Sequence, residues 1–138
     1  MRIAVDVMGG DHGPGVVIDG VKLALEDDAK ISELFLVGKE DEIHAELKRA
    51  QCHDRRIRVV HASEVLTMED KPVEALRKKK DSSILRAVDL VRDGTADAII
   101  SQGNTGGLVA SAHIRLRPLP GVERPAIACI MPRVYGEW

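Results

Sequence analysis

Two glycine-rich stretches carry most of the chemistry open to this chain. They are Met8-Gly9-Gly10-Asp11-His12-Gly13-Pro14 and Gln102-Gly103-Asn104-Thr105-Gly106-Gly107. Glycine lets backbone come close to a ligand, and backbone amides bind anions where such a loop opens a helix. The same residues also make plain turns, with Gly and Asn supplying positive φ. Two such loops on one sheet edge favour a site. A third stretch is Arg77-Lys78-Lys79-Lys80, followed by Asp81-Ser82-Ser83. Cations suit the end of a helix and usually face water. Here they also crowd the start of the next helix, which is unfavourable unless an anion sits between them. Asp6, Asp11 and His12 form a candidate acid–base group, because a carboxylate can orient an imidazole. Equally, Asp11 can bond its own loop's amides while His12 merely packs. No second ligand cluster accompanies them, so no metal is expected. His44, His53, His61 and His113 stand alone and read as surface or core filling.

These groups need elements to hold them. Residues 3–7 and 34–37 read as short apolar strands, the second closed by Gly38, and residues 57–60 and 98–101 as two more. Pro14 suits a helix start, and Val17, Val21, Ala24 and Leu25 then recur at helical spacing. Ile43, Leu47 and Ala50 mark a second helix. Residues 67–71 are polar connection, with a short helix from Pro72 to about Lys79. Asp81, Ser82 and Ser83 offer N-caps to a helix striped by Ile84, Val88 and Val91, which Gly94 stops. Residues 108–114 look helical and residues 126–130 look like a fifth strand. Alternating strands and helices predict a single α/β segment over residues 1–138, with a mainly parallel sheet between helical layers. In such sheets ligands bind beyond the carboxyl ends of the strands, where both glycine loops fall.

Composition narrows the classes. Of 138 residues, 44 % are apolar but only 2 % aromatic, so the core is Val, Ile, Leu and Ala, as a buried parallel sheet requires. Few aromatics and a net charge of −2 argue against nucleic-acid binding. Two cysteines without a Cys-x-x-Cys context fit reduced cytosolic thiols. No apolar run approaches the roughly 18 residues of a membrane span, and the start lacks the layout of a signal peptide. The first loop is not G-x-G-x-x-G, and the second strand ends in Val37-Gly38 rather than an acid for a ribose hydroxyl, so NAD is not expected. No Walker loop and no G-x-S-x-G occur, which excludes those NTPase and serine-hydrolase readings.

Four ordered stretches resemble the N-terminal part of the PlsX family of bacterial phosphate acyltransferases. They are Ile3-Ala4-Val5-Asp6 with Met8-Gly9-Gly10-Asp11-His12, Arg77-Lys78-Lys79-Lys80-Asp81-Ser82-Ser83, Ser101 with Gly103-Asn104-Thr105-Gly106, and Gly121-Val122-Glu123-Arg124-Pro125-Ala126. The resemblance implies a fold similar to the isocitrate/isopropylmalate dehydrogenases. It implies fatty acyl transfer from acyl carrier protein to inorganic phosphate in phospholipid synthesis, without a cofactor. It also implies a cytoplasmic homodimer peripheral to the inner face of the membrane. Residue type and motif membership then suggest roles. Amides around Gly9, Gly10, Thr105 and Gly106 would bind phosphate or the oxyanion, with Ser82 and Ser83 beside the phosphate. Lys79 or Lys80 would neutralise it, Asn104 would donate a side-chain hydrogen bond, and Asp11 or His12 would take a proton. The family is more than twice this length, and Arg133-Val134-Tyr135-Gly136-Glu137-Trp138 departs from its pattern. This chain is therefore expected to be the N-terminal part of a longer architecture, whose remainder carries the dimer helices, the membrane-contacting segment and part of the active site. The competing expectations are a non-catalytic anion-binding or dimerising remnant of that family and a nucleotide-dependent dehydrogenase on a related scaffold.

Overall fold

The computed structural model of the protein describes residues 1–128. Four parallel strands, β1 (Arg2–Asp6), β2 (Glu33–Gly38), β3 (Ile57–His61) and β4 (Ala98–Ser101), form one sheet in the order β3-β2-β1-β4. Five helices connect and cover them: α1 (Pro14–Asp27), α2 (Glu40–Arg49), α3 (Pro72–Lys78), α4 (Ser83–Arg92) and α5 (Thr105–Arg115).

The apolar pattern explains the layering. Ile3, Val5 and Val7 point to the face where Val17, Ile18, Val21 and Leu25 of α1 and Ile43 and Leu47 of α2 pack. Ala4, Phe35 and Val37 point to the other face, against Ala87, Leu90 and Val91 of α4. A strand covered on both faces must be apolar at successive positions, and β1 is buried from Ile3 through Asp6. A third cluster joins Leu66, Ala75 and Leu76 to Ile84 and Leu85, with Leu108 of α5 packed against it. Local chemistry sets the ends. Pro14 occupies the first turn of α1, acidic residues open α2 and Lys48 and Arg49 close it, and Gly94 takes φ +71° after α4.

Two expectations are corrected. The helix read from residue 108 begins at Thr105, because Asn104 caps it and half of the glycine-rich loop is its first turn. The fifth strand expected over residues 126–130 is not formed by Ala126, Ile127 and Ala128, which are exposed and unpaired; Cys129 and Ile130 lie outside the described residues. An apolar run becomes a strand only where a neighbour accepts its hydrogen bonds, and no described strand lies beside this one. Among the described residues no helix is long and apolar enough to cross a membrane.

Candidate functional site

The chain moves outward from β1 through β2 to β3, then returns to place β4 on the other side of β1. That reversal is the switch point where parallel sheets leave a crevice beyond their carboxyl ends. Both glycine-rich loops leave the sheet there, the first from β1 and the second from β4.

A buried acid joins them. Register sets Asp6 beside Ser101, and Ser101 Oγ donates to Asp6 Oδ2 at 2.8 Å. The amide of Gly103 in turn donates to Ser101 Oγ at 3.1 Å, and the amide of Met8 donates to Asp6 Oδ1 at 3.2 Å. Asp6 is only 3 % exposed, so this is an interior latch between the loops. The loops touch so closely that a Cβ on Gly9 would lie 2.7 Å from the Gly103 nitrogen and 2.9 Å from Asp6 Oδ2. Gly10 adopts φ +95°, and a Cβ there would meet Gln102 Cβ at 3.3 Å. Glycine is required at both positions for different reasons: close approach at Gly9, backbone conformation at Gly10.

The second loop is locked by Asn104, which is 8 % exposed. Its Oδ1 accepts from the Gly107 amide at 2.9 Å, while Nδ2 donates to the carbonyls of Thr67, Met68 and Asp70 at 3.2–3.4 Å. Both ends of the Asn104 amide are thus engaged with backbone. Gly107 is capped, and among the other first-turn donors the Thr105 and Gly106 amides find no acceptor among the described hydrogen bonds. Both residues are exposed. The Gly9 and Gly10 amides are likewise without a described acceptor.

Asn104 also fixes the far wall. A cleft of about 180 Å³ separates Met8, Gly10 and Asp11 from residues 65–69. That is the space of about six water molecules, ample for a small oxyanion. Its wall is braced from behind. Asp70 accepts from Thr67 N at 2.8 Å, and Lys79 Nζ pairs with Asp70 Oδ2 and donates to the Val65 carbonyl at 2.9 Å. Lys79, followed by the Thr67 amide, holds the Asp70 carboxyl below its ordinary range.

The remaining expected residues fall out as follows. Asp11 and His12 are exposed and make no described hydrogen bond with each other or with Asp6, so no preformed acid–base pair exists. Lys79 is committed to Asp70 and Val65, whereas Lys80 is exposed and has no partner among the described residues. Ser82 and Ser83 are buried at 0 % and 1 % exposure, with no solvent-facing hydroxyl to offer an anion. Tertiary pairing buries them: Ser82 bridges Glu64, and the Ser83 amide donates to the Glu64 carbonyl at 3.0 Å. Asp81 is tied down as well. The Ser63 hydroxyl and amide, then Arg86, lower its carboxyl to about 2.

Sequence reasoning passed over the latch itself. Asp6 reads from the sequence as a companion of Asp11 and His12 and as part of one family motif, and Ser101 as part of another. The available signal was an acid ending an otherwise apolar buried strand, matched by a serine ending another. Met8 reads from the sequence only as a member of the first glycine-rich stretch, with no role for its side chain. Its side chain covers the end of β2 so tightly that a Cβ on Gly38 would lie 2.6 Å from Met8 Cγ. The end of β2 has a thioether where dinucleotide-binding proteins keep an acid for the ribose.

The family model described as fatty acid synthesis protein matches residues 1–138. The phosphate acyltransferase of Akkermansia muciniphila is 45 % identical over 136 residues, covering 99 % of this chain and 39 % of that protein. The phosphate acyltransferase of Methylococcus capsulatus is 50 % identical over 137 residues, covering 98 % of this chain and 40 % of its own length. That of Oleidesulfovibrio alaskensis is 50 % identical over 131 residues, with 94 % and 37 % covered. This chain spans about two fifths of the length of these relatives.

Proposed function

This chain belongs to the fatty acid synthesis protein family of PlsX phosphate acyltransferases, of which it spans an N-terminal portion, and from that premise we propose that its glycine rim holds the phosphate of an acyl transfer reaction. The reaction is transfer of a fatty acyl group from acyl carrier protein to inorganic phosphate, giving acyl phosphate. One observation carries the reading: the contact between the two glycine loops through Asp6, Ser101 and Gly103. The fold is taken as similar to the isocitrate/isopropylmalate dehydrogenases, a reading supported by the all-parallel sheet with helices on both faces. A homodimer on the inner face of the membrane belongs to the same proposal.

In the proposed mechanism a phosphate oxygen attacks the thioester carbonyl carbon. The carbonyl electrons move onto oxygen, then return as the carbon–sulfur bond breaks and the thiolate leaves. A proton from phosphate or water completes the free thiol. A thiol of pKa about 8.5 is a good leaving group, so strong acid catalysis is not required. The protein's work is to position phosphate and stabilise the oxyanion. The amides of Gly9, Gly10, Thr105 and Gly106 serve this end, backed by the positive end of α5. Lys80 supplies counter-charge, since Lys79 is held by Asp70. Asn104 acts as a positioning residue, holding α5 against residues 67–70. Asp11 or His12 accepts the phosphate proton once substrate orders them.

The test is orthophosphate-dependent release of free thiol from acyl carrier protein, measured with this chain and with the full-length Methylococcus relative. Gly10→Val in either should abolish phosphate binding while leaving a cooperative thermal unfolding transition in place, because the damage is one positive-φ position in a half-buried turn. Wild-type phosphate affinity in that variant would refute the site. A second reading, anion binding without turnover, is favoured by the lack of hydrogen bonds at Asp11 and His12. Phosphate binding by this chain without thiol release would select it.

A further inference from the structure

Residues 67–70 form a tight turn in the far wall of the cleft, closed by the Asp70 amide donating to the Thr67 carbonyl at 3.3 Å. The carbonyls around it are held from behind. Asn104 Nδ2 donates to those of Thr67 at 3.2 Å and Met68 at 3.4 Å, and Lys79 Nζ donates to that of Val65 at 2.9 Å. Neither Asn104 nor Lys79 lines the cleft, whereas Leu66, Met68 and Glu69 do. A trans peptide is planar, so its N–H points opposite to its C=O. With the carbonyls of Val65, Thr67 and Met68 drawn back to Lys79 and Asn104, the amides of Leu66, Met68 and Glu69 are turned the other way. None of these three amides finds an acceptor among the described hydrogen bonds. Leu66 is only 5 % exposed, where an idle donor is costly.

We infer that the Met68 and Glu69 amides form a second bank of donors, facing the glycine loop across the cleft, which receives the carbonyl oxygen of the acyl thioester; this rests on the reading of the glycine rim as the phosphate site. The rest of the lining selects that group. Met8, Leu66 and Met68 are apolar, and Asp11 and Glu69 add two carboxylates, which oppose a second permanent anion. A neutral carbonyl enters without that penalty. Its oxygen gains charge only while the phosphate oxygen adds to the carbonyl carbon, and the electron pair returns when the carbon–sulfur bond breaks. Amides already fixed by Asn104 and Lys79 need no reorganisation at that moment. The buried side of the turn thus has a purpose that the motif lysine alone does not reveal: Lys79 and Asn104 hold carbonyls back so that amides face forward.

Two probes compared in ¹⁵N–¹H correlation spectra of this chain test it. Inorganic phosphate should move Gly9, Gly10, Thr105 and Gly106 and leave Met68 and Glu69 in place. Acetylphosphonate, a carbonyl bonded directly to a phosphonate, should move the same four and also shift Met68 and Glu69 saturably. Rim shifts with acetylphosphonate while Met68 and Glu69 stay still would overturn the inference and leave the rim reading standing. A rim unmoved by both probes would overturn the rim reading, and the inference with it. Met68→Pro then removes one donor. Both central residues of the turn have negative φ, and proline is favoured at the first central position of such a turn. Acetylphosphonate should bind about tenfold more weakly, the worth of one hydrogen bond, with inorganic phosphate unchanged. Met68→Ala retains the amide and should bind both probes as the unmodified chain does. Equal losses in the two variants would assign the contact to the side chain and overturn the inference. Should Met68→Pro fail to fold, which circular dichroism reports, the spectra of the unmodified chain decide.

Discussion

α4 and α5 begin with similar residues and end up in opposite conditions. Asp81-Ser82-Ser83 and Gln102-Gly103-Asn104-Thr105 each put short polar side chains at a helix start, and each follows a stretch with glycine or cation character. At α4 the Ser83 amide is used by Glu64, both serines are buried, and Asp81 is saturated by Ser63 and Arg86. At α5 the cap satisfies only Gly107, and Thr105 and Gly106 remain exposed beside the β1 loop. A helix N-terminus becomes a site only where neighbouring chain has not already absorbed its donors. The segment before α3 makes the difference. Residues 62–71 double back along α4 and seal it, then stop against Asn104 and leave α5 open.

The largest test of this contrast is Gly9→Val. Its side chain would have to displace the Gly103 backbone or the buried Asp6, neither of which can swing aside. The expected cost is about 3 kcal/mol, the upper range for overpacking. Thermal unfolding reads the stability, and a ³¹P titration should show phosphate binding lost. A tolerated valine with intact binding would mean the loops need not touch.

Asn104→Ala removes a helix cap and three bonds to residues 67–70. A loss of about 2 kcal/mol is expected, from a cap worth about 1 and the orphaned carbonyls. Amide exchange at residues 67–70 should accelerate while that of β1 to β3 does not. Uniform acceleration would make Asn104 a general stabiliser and not a brace for the cleft.

Acid separates the two helix starts without mutation. The Asp81 carboxyl, lowered to about 2 in the folded chain by Ser63 and then Arg86, stabilises the α4 side fully above the ordinary aspartate value of about 4. That contribution fades as pH falls from about 4 through 2. Asp70 is lowered too, chiefly by Lys79, and weakens in the same direction. The Asn104–Gly107 cap contains no titrating group. Below pH 4, Ser63 and Glu64 amides should therefore lose exchange protection before Gly107; the reverse order would break the comparison.

The smallest effect belongs to Ser82→Ala. Ser82 Oγ is buried with no hydrogen-bond partner, so its loss should be neutral or stabilise by about 1 kcal/mol. Phosphate affinity should not change. A large loss of affinity would move the site to α4.

How much of this was legible follows from the range of the interactions involved. The first four strands, the helix stripes and Pro14 at the start of α1 are local patterns, and they read correctly. The start of α5 misread because glycine argues against helix locally, while the Asn104 cap that overrules it is one side-chain bond. Asp6 and Ser101 meet only through the β1–β4 register, which no local pattern contains. Ser82 and Ser83 looked available because the Glu64 bridge that buries them is tertiary. Residues 126–128 had strand composition without a strand to pair with.

The most direct measurement is a ¹⁵N–¹H correlation spectrum of this chain titrated with inorganic phosphate. Saturable shifts concentrated at Gly9, Gly10, Thr105 and Gly106, with Ser83 and Ile84 unmoved, are the predicted result. Shifts that cluster at Ser83 and Ile84, or that never saturate anywhere, would contradict an anion cradle between the two glycine loops.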